Sequence, residues 1–168
     1  MFLNSLFFIS SIMKMIYWKC PNCGREFIKQ NQFHPCVSIS IDEHFKKKPP
    51  ILKDTFNSLR EKIKEFGQIR IDAVKTAINI GGKSHFSTVY VLKESIKLDF
   101  VLDRRINSPR IIRVKGPTNN YFTYTIKIKK FPDVDDELIS WLRASYNLRN
   151  KYSFYKNIKK NLIILILF

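Results

Sequence analysis

Between residues 50 and 67 the apolar positions return every three or four residues. Leu52, Phe56, Leu59, Ile63 and Phe66 make one stripe, Lys and Glu take the opposite face, and Gly67 ends the run. This spacing predicts a helix packed by one face on a sheet. Pro49 and Pro50 mark its entry. Beyond Gly67 the period drops to two. Val74, Thr76, Ile78 and Ile80 alternate with polar or small residues. Phe86, Thr88, Tyr90 and Leu92 share a face, as do Ile96, Leu98, Phe100 and Leu102. "PRIIRVK" and "YFTYTIKIK" continue the pattern. The connections are short: Gly81-Gly82-Lys83, Lys93-Glu94-Ser95 and "GPTNN". Parallel strands would need longer crossovers, so five antiparallel strands in a meander are predicted. The helical period returns in "FPDVDDELISWLRASY", with Leu138, Trp141, Leu142 and Ser145 inward. Asp135, Asp136 and Glu137 suit the positive end of that helix. The predicted class is α+β, an antiparallel five-stranded meander sheet covered by helices on one face.

Both chain ends fall outside this pattern. The apolar run before Lys14 is shorter than the ~20 residues that cross a bilayer. Its positive charge follows the run rather than preceding it, unlike a secretory signal. It reads as an extension upstream of the natural start, with a membrane anchor as the second reading. The final "NLIILILF" is also too short to span, and a basic stretch precedes it. A docked helix, a surface-lying helix and an unordered tail all fit. The organisation expected is an apolar extension over 1–16, a small unit over 17–37, an α+β domain over 38–147 and a basic/apolar tail over 148–168.

The small unit holds all three cysteines of the chain, in "WKCPNCGREFIKQNQFHPC". Cys20 and Cys23 stand in CxxC spacing with Gly24 behind them, and His34 and Cys36 follow. Two sulfurs on a tight turn, a third thiolate and an imidazole fill a tetrahedral zinc shell with no open position. A structural zinc on Cys20, Cys23, His34 and Cys36 is therefore expected, with Trp18, Phe27 and Phe33 as a tiny core. A redox CxxC would accompany a βαβ pattern, which is absent. Thiolate ligation belongs to a reducing compartment, so a cytoplasmic location is expected.

The formal charge is +16, and it is uneven. Residues 101–168 carry +9 of it, and from Arg104 to Lys130 eight basic residues occur without an acid. Such a field favours nucleic acid or another anionic partner. Arg104, Arg105, Arg110, Arg113, Lys115, Lys127 and Lys129 are the candidate contacts with DNA or RNA, beside Tyr121 and Tyr124. An ordinary solvated sheet face with alternating Lys and Thr is the competing reading. A lysine-rich composition also arises from AT-rich coding alone.

Enzymatic motifs are missing. There is no phosphate-binding glycine loop, no GxSxG and no HExxH. The "DVDDE" cluster precedes an apolar helix and reads as a cap rather than a metal-dependent nuclease site. His44, His85, Asp72 and Asp103 look isolated, and no acid/base pair is evident. A binding module is expected ahead of an enzyme. A second reading is a small-ligand or protein-binding pocket between helix and sheet, around Phe86, Tyr90 and Trp141.

In combination, "WKCPNCGREF", "NQFHPC", "IDEHF", "IRIDAVKTAINI" and "VDDELISWLRASY" resemble domain of unknown function 5655, over roughly Trp18 to Tyr146. The resemblance implies a compact α+β domain behind the cysteine segment. It also implies an association with DNA-associated or restriction-type proteins, and no established activity. It further implies a histidine near the last strand, where this chain has Tyr124 or a neighbour.

Overall fold

The computed structural model describes residues 18–24, 26–27, 30–31, 36, 39–118 and 120–166, with the backbone alone at 26 and 152–166. The chain divides into two compact units, residues 1–38 and 39–168. The expected extension over 1–16 lies outside the described residues.

In the first unit, β1 (Trp18–Lys19) pairs antiparallel with β2 (Glu26–Phe27). Trp18 stands opposite Phe27 in that register, and their rings meet at 5.9 Å. Cys20 follows β1 and opens the turn between the strands.

The second unit begins with a 3-10 turn, Ile41–Phe45, capped by the Ser40 hydroxyl accepting from the Asp42 amide. Helix α1 (Pro50–Lys64) starts on a proline, whose missing amide proton costs nothing in a first turn. Its predicted stripe is the buried one: Leu52, Phe56, Leu59 and Ile63 are all inaccessible. Gly67 lies at φ +128°, a conformation that side chains rarely adopt, and a Cβ there would meet the Tyr146 hydroxyl at 2.8 Å.

Six strands follow: β3 (Arg70–Val74), β4 (Ala77–Gly81), β5 (His85–Val91), β6 (Ile96–Leu102), β7 (Ile111–Thr118) and β8 (Tyr121–Ile128). All neighbouring pairs are antiparallel, in the order β3-β4-β5-β6-β8-β7. Helix α2 (Asp136–Ile166) ends the unit and runs on through the boundary expected at 147/148.

The α+β class holds, with two differences from the expected sheet. The first is an additional strand. Residues 70–81 form a hairpin turning at Lys75-Thr76, not one strand. Inward residues are odd-numbered before the turn (Ile71, Ala73) and even-numbered after it (Ile78, Ile80). The expected even phase was right only for the second half. The second difference is order. The eight-residue connection 103–110 carries β7 to the sheet edge, and β8 inserts beside β6. The physical reason is composition. β7 exposes Arg113 and Lys115 and suits an edge, whereas Tyr124, Thr125, Ile126 and Ile128 of β8 are buried.

Both helices lie on one face of the sheet. Their stripes join Ile78, Ile80, Val89, Ile96, Leu98, Phe100, Leu102, Tyr124, Ile126 and Ile128 in a single core. Phe100 sits at its centre, stacked at 5.7 Å on both Tyr124 and Trp141. Among the described residues, no helix is long and apolar enough to cross a membrane.

Candidate functional site

The cysteine cluster is built by the β1 turn. Gly24, at φ +68°, sends its amide back to the Cys20 carbonyl at 2.8 Å and closes the turn. The amides of Asn22 and Cys23 then face the Cys20 sulfur. Burial pushes the Cys20 thiol up, but those amides more than reverse it, so it is held below its ordinary value. Burial pushes the Cys36 thiol up, and the neighbouring Cys20 and Cys23 sulfurs add to that. One anion is favoured at this point, and further anions beside it are crowded.

The three sulfurs of Cys20, Cys23 and Cys36 lie within 4.8 Å of one another. The Cys20 and Cys36 sulfurs are 3.7 Å apart. Two thiolates on one tetrahedral zinc, at a Zn–S bond of about 2.3 Å, stand about 3.8 Å apart. The cluster therefore fits a metal ion of that size. His34, the expected fourth ligand, lies outside the described residues, as does Phe33.

In the second unit the sheet face away from the helices is polar. One row crosses all six strands in register: Asp72, Asn79, Thr88, Asp99, Thr125 and Arg113. The Thr88 hydroxyl donates to Asn79 at 3.2 Å, and the Thr125 hydroxyl donates to Asp99 at 2.7 Å. At the β3 end, Arg70 Nε donates to Asp72 at 2.8 Å, and His85 Nε2 lies 3.3 Å from the same oxygen. Burial pushes the Asp72 carboxyl up, but His85 and Arg70 outweigh it and hold it below the usual range. Asp72 and His85 are thus partners, although the sequence shows them as isolated. The missed hairpin explains this, because only the β3-β4-β5 register brings them together.

The seven basic candidates do not form one surface. Arg113, Lys115 and Lys127 share the polar face, with Lys127 directly opposite Lys97. Arg110 is engaged elsewhere. Its Nη1 donates to both Asp135 carboxylate oxygens at 2.7 Å and to Glu137 at 3.2 Å, and its Nη2 donates to the Asp133 carbonyl. Asp135 also accepts from the Leu138 amide at 3.0 Å, so the acidic cluster caps α2 as expected. Arg104 and Arg105 lie in the 103–110 connection, where Arg105 stands over the Phe122 ring and Arg104 lies 3.8 Å from Asp103. Lys129 is exposed just beyond β8, and its amide donates to Asp133 at 2.7 Å.

Tyr124 offers no ring to a partner. It is fully buried, and its hydroxyl donates to the Arg104 carbonyl and accepts from the Ile106 amide, each at 3.0 Å. At this position the side chain latches the connection to β7. The pocket expected around Phe86, Tyr90 and Trp141 does not assemble either. Trp141 and Phe86 are buried in the helix-side core, while Tyr90 lies on the opposite face beneath the Lys97 ammonium, 3.8 Å from its ring centre. Thr88 and Tyr90 face away from Val89 and the helices, and Phe86 escapes that alternation at the register shift where Ile80 pairs with Ser87 but Gly81 pairs with His85.

Residues 41–149 match the family described as "Domain of unknown function (DUF5655)". No curated protein matches the chain, and no solved structure does. The match starts at the 3-10 turn before α1 and ends within α2, so it takes in the whole sheet but leaves out the cysteine cluster. On that span the chain belongs to the DUF5655 family.

Proposed function

We propose that the chain is a binding module in which the cysteine cluster holds a structural zinc and the polar sheet face takes nucleic acid. The carrying observation is the Lys97–Lys127 pair. Two like charges directly opposite on adjacent strands are a cost to the sheet, which a bound anion would relieve. Arg113 and Lys115 extend the same face to its edge, and its two acids are already hydrogen-bonded, Asp72 by Arg70 and Asp99 by Thr125. An open sheet face with spaced cations suits the backbone of a single strand better than a duplex groove. The zinc reading draws support from the sulfur spacing, with His34 as the proposed fourth ligand. Thiolate ligation at such a site suits a reducing compartment, in keeping with a cytoplasmic location.

The test is fluorescence anisotropy with labelled single-stranded DNA and RNA across a salt series. Binding should weaken with salt by a log–log slope of about −0.7 per phosphate contacted. Replacing Lys97, Lys127 and Arg113 together by Gln should flatten that slope. No binding at low salt, or an unchanged slope in the triple variant, overturns the reading.

A further inference from the structure

A cleft opens where β5 and β6 part company. Their ladder begins at Ser87–Phe100, and one step beyond it the strands no longer bond to each other. The Ser145 hydroxyl of α2 takes over there. It donates to the Phe86 carbonyl at 2.8 Å and accepts from the Val101 amide at 3.1 Å. Ser145 is fully buried, so this wedge is a fixed part of the fold. The parting leaves a cavity of about 270 Å³ whose lining includes Phe86, Phe100, Val101, Thr123, Asp99 and Arg149.

The two charged side chains carry the argument. Asp99 is half-buried, its Oδ1 turned by the Thr125 hydroxyl, and among the described residues it has no cationic partner. Arg149 is half-buried too. Its Nε is fixed by the His85 carbonyl at 2.8 Å, which orients the guanidinium, and it has no carboxylate partner among the described residues. A carboxylate and a guanidinium therefore line one small cavity without pairing with each other. Each has borne part of its desolvation cost with no counter-charge in return.

We infer that this cleft binds a small zwitterion of the amino-acid class, its carboxylate on the Arg149 fork and its ammonium on Asp99. A guanidinium held by its Nε still presents Nη hydrogens to a carboxylate. Val101 offers an apolar contact to a short side chain, and the volume admits a single metabolite but not a peptide. Asp99 lies on the same sheet face as the basic set, but the inference uses none of the cations on which the nucleic-acid reading rests, so the two fail separately.

The experiment is isothermal titration calorimetry on the full chain at millimolar concentrations of the common L-amino acids. Acetate, methylammonium and inorganic phosphate serve as half-probes. At least one amino acid should bind, with every half-probe weaker by about tenfold or more. Asp99→Asn keeps the acceptor for Thr125 and should lower amino-acid affinity by a similar factor, as should Arg149→Gln. Lys127→Gln should leave it unchanged. Arg149→Lys keeps the charge without the fork and serves if Arg149→Gln fails to fold. The inference is overturned if no amino acid binds. It is also overturned if acetate or phosphate binds as tightly as any amino acid, or if folded Asp99 and Arg149 variants keep wild-type affinity.

Discussion

The two units of this chain differ in how their described residues pack. Among the described residues, the first has two strands of two residues each, one aromatic contact and Cys20 as its only buried apolar side chain. The second has a continuous core running from Phe45 to Leu142. On the proposed reading a metal ion staples the first unit, as small units with little apolar surface commonly require. The difference therefore predicts that metal governs one unit and packing the other, and each perturbation should fall on one side only.

The largest effect is expected from removing the metal. Structural zinc contributes about 10–16 kcal/mol in comparable small units, more than any core contact offers. A chelator should expose residues 18–36 to proteolysis while residues 39–151 stay resistant. Simultaneous loss of both units would break the comparison. Next in size is Phe100→Ala. Removing a ring stacked on both Tyr124 and Trp141 should cost about 3–5 kcal/mol in denaturant unfolding of the second unit, with metal content unchanged. Ser145→Ala should cost less, about 1–3 kcal/mol, by leaving the Phe86 carbonyl and Val101 amide without their bridge.

The smallest effect concerns acid. Asp72 is held below the usual carboxylate range in the folded chain, so its contribution is present above the unfolded value, about pH 4. That contribution is lost as pH falls through the depressed folded value. Unfolding free energy of the second unit should therefore decline below about pH 4, less steeply in Asp72→Asn. An equal decline in both proteins would remove Asp72 from the account.

What the sequence makes legible follows from the range of each interaction. The α1 stripe and the acidic cap of α2 are local, and both read directly from spacing. CxxC-Gly is local too, and its turn forms as the motif demands. The β3-β4 hairpin hides because its turn, Lys75-Thr76, has neither Gly nor Asn. The parity switch from Ile71 and Ala73 to Ile78 and Ile80 was the available signal. Asp72 and His85, thirteen residues apart, meet only through that hairpin. The insertion of β8 beside β6 rests on pairing across the sheet, which alternation within a strand does not encode. The same holds for the cleft beside Ser145. Spacing marks that serine as inward-facing, but its bridging role depends on where β5 and β6 separate.

The central proposal is that a metal ion on the cysteine cluster holds residues 18–36 together. Native mass spectrometry of the full chain tests it most directly. The account predicts one zinc ion per chain, lost in Cys20→Ser and retained in Phe100→Ala. A metal-free chain whose residues 18–36 resist proteolysis, or a Cys20→Ser chain with its zinc intact, would contradict it.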